Sequence, residues 1–261
     1  DISVLLQKDD TDDEVLQRKY RDVHRKFIKS PIEAHLTKIF SRIQIGHDVK
    51  IEDRRNLFIL IVDAIKKLNK IPEIENLLET VSESDELNLV FEFNQNSVSQ
   101  LDPTGDKSTL GITYLNGWIY LVVTGLLENF KNSALGTIAH EICHYAMQLV
   151  FENVCKPFAK FDADLKKEFE EIVKEYQEML DLDEEIISRV FKYYKKDMWI
   201  AEMIVRVPEL LAFYQDEPEK LKAIKVKYFK LFDFYAKIFE RFLKKAPQVI
   251  AGKQQVKFIN S

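Results

Sequence analysis

Two histidines and a glutamate near the middle of the chain have the spacing of a metal-binding motif. His140, Glu141 and His144 form the pattern H-E-x-x-H. If this segment is helical, the two histidines lie one turn apart on the same face, where their imidazoles can bind one metal ion. Glu141 then lies about 100° around the helix, beside the ion. From there its carboxylate can take a proton from a water that the ion activates.

The residues around the motif favour a buried helix. Ala139, Ile142 and Ala146 are small or apolar, and we predict a helix that starts at an N-cap on Ser133 and ends near residue 153. The alternative is a structural role, in which the histidines and the glutamate make ordinary hydrogen bonds inside a helix.

The elements that must position the motif indicate a mainly helical chain. Apolar residues recur at helical spacing in several segments on both sides of the motif. These segments are 14–28, 31–43, 52–68, 72–81, 164–180, 184–207 and 219–244. Pro208 is expected to kink or end the helix at 184–207.

A small sheet is predicted just before the motif. Residues 87–93 alternate apolar and polar side chains, which is a strand signature. Residues 94–109 are polar and are predicted to be a loop. Residues 111–115 and 118–123 are β-prone and are joined by Asn116-Gly117, which favours a β-hairpin.

We therefore predict an α+β fold that is predominantly helical, with a small mixed sheet preceding the H-E-x-x-H helix. Three regions are expected to pack as one unit. They are a helical region (1–83), the sheet with the motif helix (84–155) and a helical C-terminal region that carries a third ligand (156–261).

The order of strand, hairpin, motif helix and later glutamate-bearing helix resembles the zincin metallopeptidases, over about residues 85–215. The resemblance implies a Zn²⁺ ion held by His140 and His144. It also implies hydrolysis of peptide bonds by a metal-activated water, with Glu141 as the general base. In zincins the strand before the motif helix commonly lies at the sheet edge, so residues 117–123 are expected to align a peptide or protein substrate.

Catalytic zinc usually has three protein ligands, so the motif needs a third one. The metzincin pattern fails, because Met147 and Val150 stand where it has Gly and His. A downstream glutamate, as in gluzincins, fits better. Glu202 is our first choice because it lies in an apolar stretch, where an unpaired acid is costly. Glu209 is the alternative ligand, and an ion pair with Arg206 would explain either acid without a metal.

The chain departs from the gluzincin pattern at one position. Several gluzincins carry an acid four residues after the ligand glutamate, where it orients a zinc histidine, but this chain has Arg206 there. We therefore assign no partner to the histidines. Five residues are candidates for stabilising an oxyanion: Tyr145, Tyr193, Tyr194, Arg206 and Tyr214. For each of them we expect a role in packing or a position on the surface instead.

Composition argues against other classes. The net charge is −5 and the charges are mixed in sign along the chain, which gives no support to nucleic-acid binding. The longest apolar runs are too short to span a bilayer. Two cysteines, Cys143 and Cys155, and no glycosylation sequon favour a reducing compartment. Cys143 is expected to be a small buried hydrophobe. No oligomeric state is predicted.

Three functional hypotheses follow. The first is a zinc metallopeptidase with His140, His144 and Glu202 as ligands and Glu141 as general base and then acid. The second is a zinc-binding domain that is non-proteolytic or inactive. The third is a helical interaction domain in which the motif is fortuitous.

Overall fold

The structure is a computed structural model that describes most of the chain. The described residues are 34–102, 110–114, 116–123, 126, 131–151, 163–178 and 185–260. The helix predicted at 14–28 lies outside them.

The described residues form an α+β fold, mostly helical with a small mixed sheet, as predicted. The helices are α1 (Ala34–Phe40), α2 (Ile51–Leu68), α3 (Pro72–Ser82), α4 (Gln95–Ser99), α5 (Lys131–Phe151), α6 (Ala163–Glu178), α7 (Glu185–Tyr193), α8 (Trp199–Phe213), α9 (Pro218–Lys227) and α10 (Phe229–Asn260). The strands are β1 (Ile43–Ile45), β2 (Asn88–Glu92), β3 (Gly111–Thr113) and β4 (Trp118–Val122).

Helix α5 lies at the centre of the fold. It packs against α3, α8 and α10 and also contacts β3 and β4. Its side chains are apolar on several faces, and Ile138, Ile142, Cys143, Ala146 and Met147 are all buried. A helix that is apolar all round is stable only inside a protein, so neighbouring elements must enclose α5. Buried residues from these elements belong to one hydrophobic core.

The sheet has the strand order β1-β2-β4-β3. β1, β2 and β4 run parallel, and β3 pairs antiparallel with β4. Successive residues point to opposite faces, and the alternate residues Leu89 and Phe91 of β2 and Ile119 and Leu121 of β4 all belong to the core. The Asn116-Gly117 hairpin is confirmed. The edge position predicted for residues 117–123 is wrong, because β4 lies between β2 and β3. The strand that directly precedes the motif helix in the chain need not lie at the sheet edge, and here the edge strand is β3.

Two short elements differ from the sequence prediction. The helix predicted at 31–43 ends at Phe40, and β1 follows it. The polar segment 94–109 contains α4, whose first turn is capped by the Asn94 side chain, which accepts a hydrogen bond from the Asn96 amide. A helix of five residues is too short to show a periodic pattern of apolar residues, so the sequence pattern does not predict α4.

Three predicted helix ends are also wrong. Ser133 lies inside α5, which already includes Lys131. The helix predicted at 184–207 is two helices, α7 and α8, and α8 continues through Pro208. The break between them is stabilised by the Trp199 indole, which donates to the main-chain carbonyl of Tyr194 at 2.9 Å. The helix predicted at 219–244 is likewise divided, at the buried Tyr228.

No helix among the described residues combines the length and apolar character needed to cross a membrane. The division into regions 1–83, 84–155 and 156–261 stays a prediction.

Gly117 allows the hairpin to lie against α5. Its φ is 86°, and a Cβ there would lie 2.4 Å from the main-chain oxygen of Glu86 and 2.7 Å from the Tyr145 hydroxyl. That hydroxyl shares a 2.8 Å hydrogen bond with Ser84. The space beside the motif helix is therefore filled by main chain and a fixed tyrosine, which cannot move aside easily.

We predict that Gly117→Ala destabilises the fold. Backbone strain at positive φ costs about 1–3 kcal/mol, and the contact with Glu86 adds to it. Urea denaturation followed by circular dichroism should show a lower midpoint with an unchanged slope. A midpoint equal to that of the wild type would contradict this account of the hairpin.

Candidate metal centre

Two helices supply the side chains of the candidate site. The motif residues His140, Glu141 and His144 lie on α5, and Glu202 lies on the first turn of α8. α8 packs along α5, and Gly136 lies in this interface, where an added Cβ would be 3.3 Å from the Glu209 Cγ. The small residue thus lets the two helices approach closely.

The two histidines and Glu202 meet in one buried cluster. The Nε2 atoms of His140 and His144 are 3.1 Å apart. The carboxylate of Glu202 lies 3.4 Å from Nε2 of His144 and 3.7 Å from Nε2 of His140. Two ligand atoms bound to one tetrahedral zinc ion are separated by about 3.3–3.6 Å, given metal–ligand bonds of about 2.0–2.2 Å. The three residues form a group that can hold a metal ion.

The polar atoms of this cluster are incompletely satisfied. Glu202 is 4% exposed, and its Oε2 atom has no hydrogen-bond partner within the part of the chain that the structure describes. Burial alone would raise the pKa of Glu202, but the charges of His144, His140 and Arg206 outweigh it and lower the pKa to about 2. Glu202 is therefore an ionised, buried carboxylate whose Oε2 atom has only the ion pair with Arg206 at 3.6 Å, and such burial is costly unless a further cation compensates it.

His144 titrates differently from a free histidine. Its burial lowers the pKa, but the nearby Glu202 outweighs this, so the pKa of His144 is raised. Since a metal binds only the neutral imidazole, metal affinity at this site should fall as the pH falls.

Glu209 holds the other side of His140. Its Oε2 atom lies 2.8 Å from Nδ1 of His140. The Nδ1–H group donates to this carboxylate, which leaves the lone pair of Nε2 directed towards His144 and Glu202. The acid that orients a histidine, sought four residues after Glu202, is thus found three residues further along α8. Glu209 contacts the Nδ1 atom of His140, whereas Glu202 lies on the Nε2 side of the same ring. Glu209 is therefore not part of the group formed by His140, His144 and Glu202.

Arg206 lies between the two glutamates. Its Nη1 atom is 2.5 Å from Glu209, and its Nη2 atom is 3.6 Å from Glu202. Burial alone would raise the pKa of Glu209, but Arg206 and His140 outweigh it and lower the pKa to about 2. The predicted ion pair with Arg206 is therefore present, and it exists together with the metal-type cluster.

Glu141 lies beside the cluster and outside it. Its Oε1 atom is 4.0 Å from Nε2 of His140, while its Oε2 atom accepts a hydrogen bond of 2.6 Å from the Thr113 hydroxyl. The carboxylates of Glu202 and Glu209 thus pair with the one guanidinium of Arg206, and the Glu141 carboxylate adds a third negative charge beside His140. A divalent cation would offset the remaining negative charge.

The tyrosines named as oxyanion candidates lie in different surroundings. Tyr194 lies beside the cluster, with the Arg206 guanidinium 5.9 Å from its ring centroid, and burial and then the charge of Glu202 raise its pKa. Tyr145 is bonded to Ser84. Tyr193 is half exposed at the end of α7, and the Tyr214 ring packs under Lys220.

The cysteines lie away from this chemistry. Cys143 is free and buried on α5, and burial raises the pKa of its thiol. It is the small buried hydrophobe that the sequence predicts. Cys155 lies outside the described residues.

No protein-family model, curated protein or solved structure matches the chain. The likeness to zincins therefore stays a resemblance carried by the motif residues.

We predict that Glu202 and Glu209 contribute unequally to metal binding. Glu202→Gln replaces a charged ligand with a neutral amide and should abolish tight binding of Zn²⁺ or Co²⁺. Glu209→Gln leaves the ligand set intact and should weaken binding by roughly 10–100-fold, as loss of a histidine partner usually does. Competition with a chromogenic chelator measures both affinities.

The control for this pair is Glu240→Gln, an exposed acid on α10 that is bound to Lys244. It should leave the affinity unchanged. If Glu209→Gln behaves like this control, Glu209 does not orient His140.

Proposed function

We propose that this chain is a zinc-dependent metallopeptidase of the gluzincin type. The observation that carries the proposal is the buried group of His140, His144 and Glu202 with the Glu141 carboxylate beside it. Two imidazoles and one carboxylate are a ligand set known for catalytic zinc. Imidazole ligands disfavour calcium and magnesium, which prefer oxygen.

The positions of the residues suit them to two roles, metal ligand and general base. His140, His144 and Glu202 would hold the ion, and the three of them leave one coordination position for water or substrate. Bound zinc would lower the pKa of a water and polarise the scissile carbonyl. Glu141 is close enough to the cluster to accept a proton from the attacking water and to pass it to the leaving amine.

The substrate would bind along β3. Among the described residues, β3 has a strand neighbour only on its β4 side. The amide of Tyr114 and the carbonyl of Leu110 bond to β4, so the main-chain groups of Gly111 and Thr113 point to the other edge. An extended peptide can pair with these groups. It would then lie next to Glu141, which Thr113 contacts.

The test combines metal content with peptide cleavage. We expect the purified chain to contain about one zinc ion and to cleave members of a library of internally quenched fluorescent peptides. Glu141→Gln should keep the zinc, because Glu141 lies outside the ligand group, and should lose at least about 10²–10⁴-fold in cleavage rate, the usual contribution of a general base. Elemental analysis and fluorescence measure the two effects.

His144→Ala is the matched variant, and it should lose both zinc and cleavage. Full activity of Glu141→Gln would refute the mechanism. Zinc binding without cleavage of any peptide would instead favour a non-proteolytic zinc-binding domain. Absence of zinc, even after it is added back, would refute the metal site itself.

A further inference from the structure

One face of β3 is shaped around the Glu141 side chain. Gly111 and Thr113 are alternate residues of this strand, so both project towards the same face. The Thr113 hydroxyl donates to Oε2 of Glu141 at 2.6 Å. A Cβ on Gly111 would lie 2.7 Å from both Cγ and Oε1 of Glu141. The strand thus offers the glutamate a hydrogen-bond donor at one residue and an open space at the other.

We propose that β3 positions the general base, with Thr113 as the residue that fixes the Glu141 carboxylate and Gly111 as the residue that makes room for it. This inference rests on the proposed function, since it assigns Glu141 the role of base. It adds two positioning residues, from outside the motif helix, to the site.

The hydrogen bond with Thr113 determines which carboxylate oxygen is free. A threonine hydroxyl has one proton, and the 2.6 Å contact with Oε2 of Glu141 is shorter than the 3.2 Å contact with the Glu141 main-chain oxygen. The proton is therefore directed to Oε2. Oε1 remains on the side of His140, at 4.0 Å from Nε2, where it can accept a proton.

Fixing the carboxylate in advance matters for the rate. Glu141 has flexible side-chain torsions, and the imidazole of His140, 4.0 Å from its Oε1 atom, is close enough to draw the carboxylate to another position. Holding one oxygen on β3 removes this alternative before substrate arrives, and misplacement of a reacting group by about 1 Å can cost about 10²-fold in rate. Thr113 also presents its main chain to the free edge of β3, so the same residue sets the distance between a paired substrate and the base.

Three variants test this arrangement. Thr113→Val keeps the shape of the side chain but removes the donor, and Thr113→Ser keeps the donor. Gly111→Ala keeps every hydrogen-bonding group but fills the space of the carboxylate. The control is Thr80→Val on α3, which removes a hydroxyl bonded to the Asn76 main chain.

The first readout is kcat and KM on the best-cleaved peptide of the quenched library, with zinc content measured beside them. Thr113→Val and Gly111→Ala should lower kcat by about 10–100-fold while KM and zinc content stay close to wild type. Thr113→Ser should restore most of the rate, and Thr80→Val should match the wild type. Wild-type kcat in both Thr113→Val and Gly111→Ala would overturn the inference and leave the proposed function standing.

The second readout needs no activity. The thermal midpoint of Thr113→Val is compared in the wild-type and Glu141→Ala backgrounds. If the hydrogen bond exists, the valine lowers the midpoint more in the wild type than in Glu141→Ala, where its partner is already gone. Equal shifts would overturn the contact between β3 and Glu141. If the wild type cleaves no peptide, the proposed function fails, and this comparison still decides whether β3 holds the carboxylate.

Discussion

The packing of α8 along α5 is the constraint on which the rest of the molecule depends. It places a carboxylate of one helix against two imidazoles of the other, inside a core that is otherwise apolar. Removing one partner from such a buried charge network typically costs about 3–5 kcal/mol, so the helices cannot slide without exposing or unpairing charge. Gly136 makes the close approach sterically feasible, since any larger side chain there would press on Glu209.

The sheet fixes a second face of the motif helix. The β3–β4 hairpin meets α5 at Gly117, which lies against Tyr145, and at Thr113, which bonds to Glu141. These two contacts lie on opposite sides of His144 in the sequence of α5. The hairpin therefore restrains the helix on a second face, about 100° around from the face of His140 and His144, so two neighbouring elements fix the helix that carries the cluster. A site built this way has little freedom to rearrange, which is what precise placement of ligands and base requires.

The sequence predicts the local part of this arrangement and misses the part that depends on tertiary contacts. The spacing of His140 and His144 is a property of one helix, so it can be read directly. Glu202 is recognised from its apolar neighbours, because burial of an acid needs an explanation. The contact between Glu209 and His140 joins residues 69 positions apart, and no local pattern reports it. Glu202 and Glu209 are about two helical turns apart, and this spacing indicates that both acids lie on the same face of α8.

Strand order is missed for a related reason. Adjacency in the chain shows that β3 and β4 form a hairpin, but it does not show which of them pairs with β2. Parallel pairing of β4 with β2 is decided by the apolar residues that both strands bury against the helices. This pairing moves the free edge from β4 to β3, and it brings Thr113, a residue without any sequence signature, next to the base.

Charge balance links the metal to the stability of the fold. Arg206 is the cation that contacts both Glu202 and Glu209, yet its Nε atom and the Oε2 atom of Glu202 have no hydrogen-bond partner among the described residues. One guanidinium therefore cannot satisfy both carboxylates. A divalent cation bound to Glu202 would balance the negative charge that remains after Arg206 pairs with Glu209. A cation that binds only when α5 and α8 are packed together stabilises the folded chain by its own binding free energy. The same interaction that prepares the site for chemistry would then also hold the two central helices together.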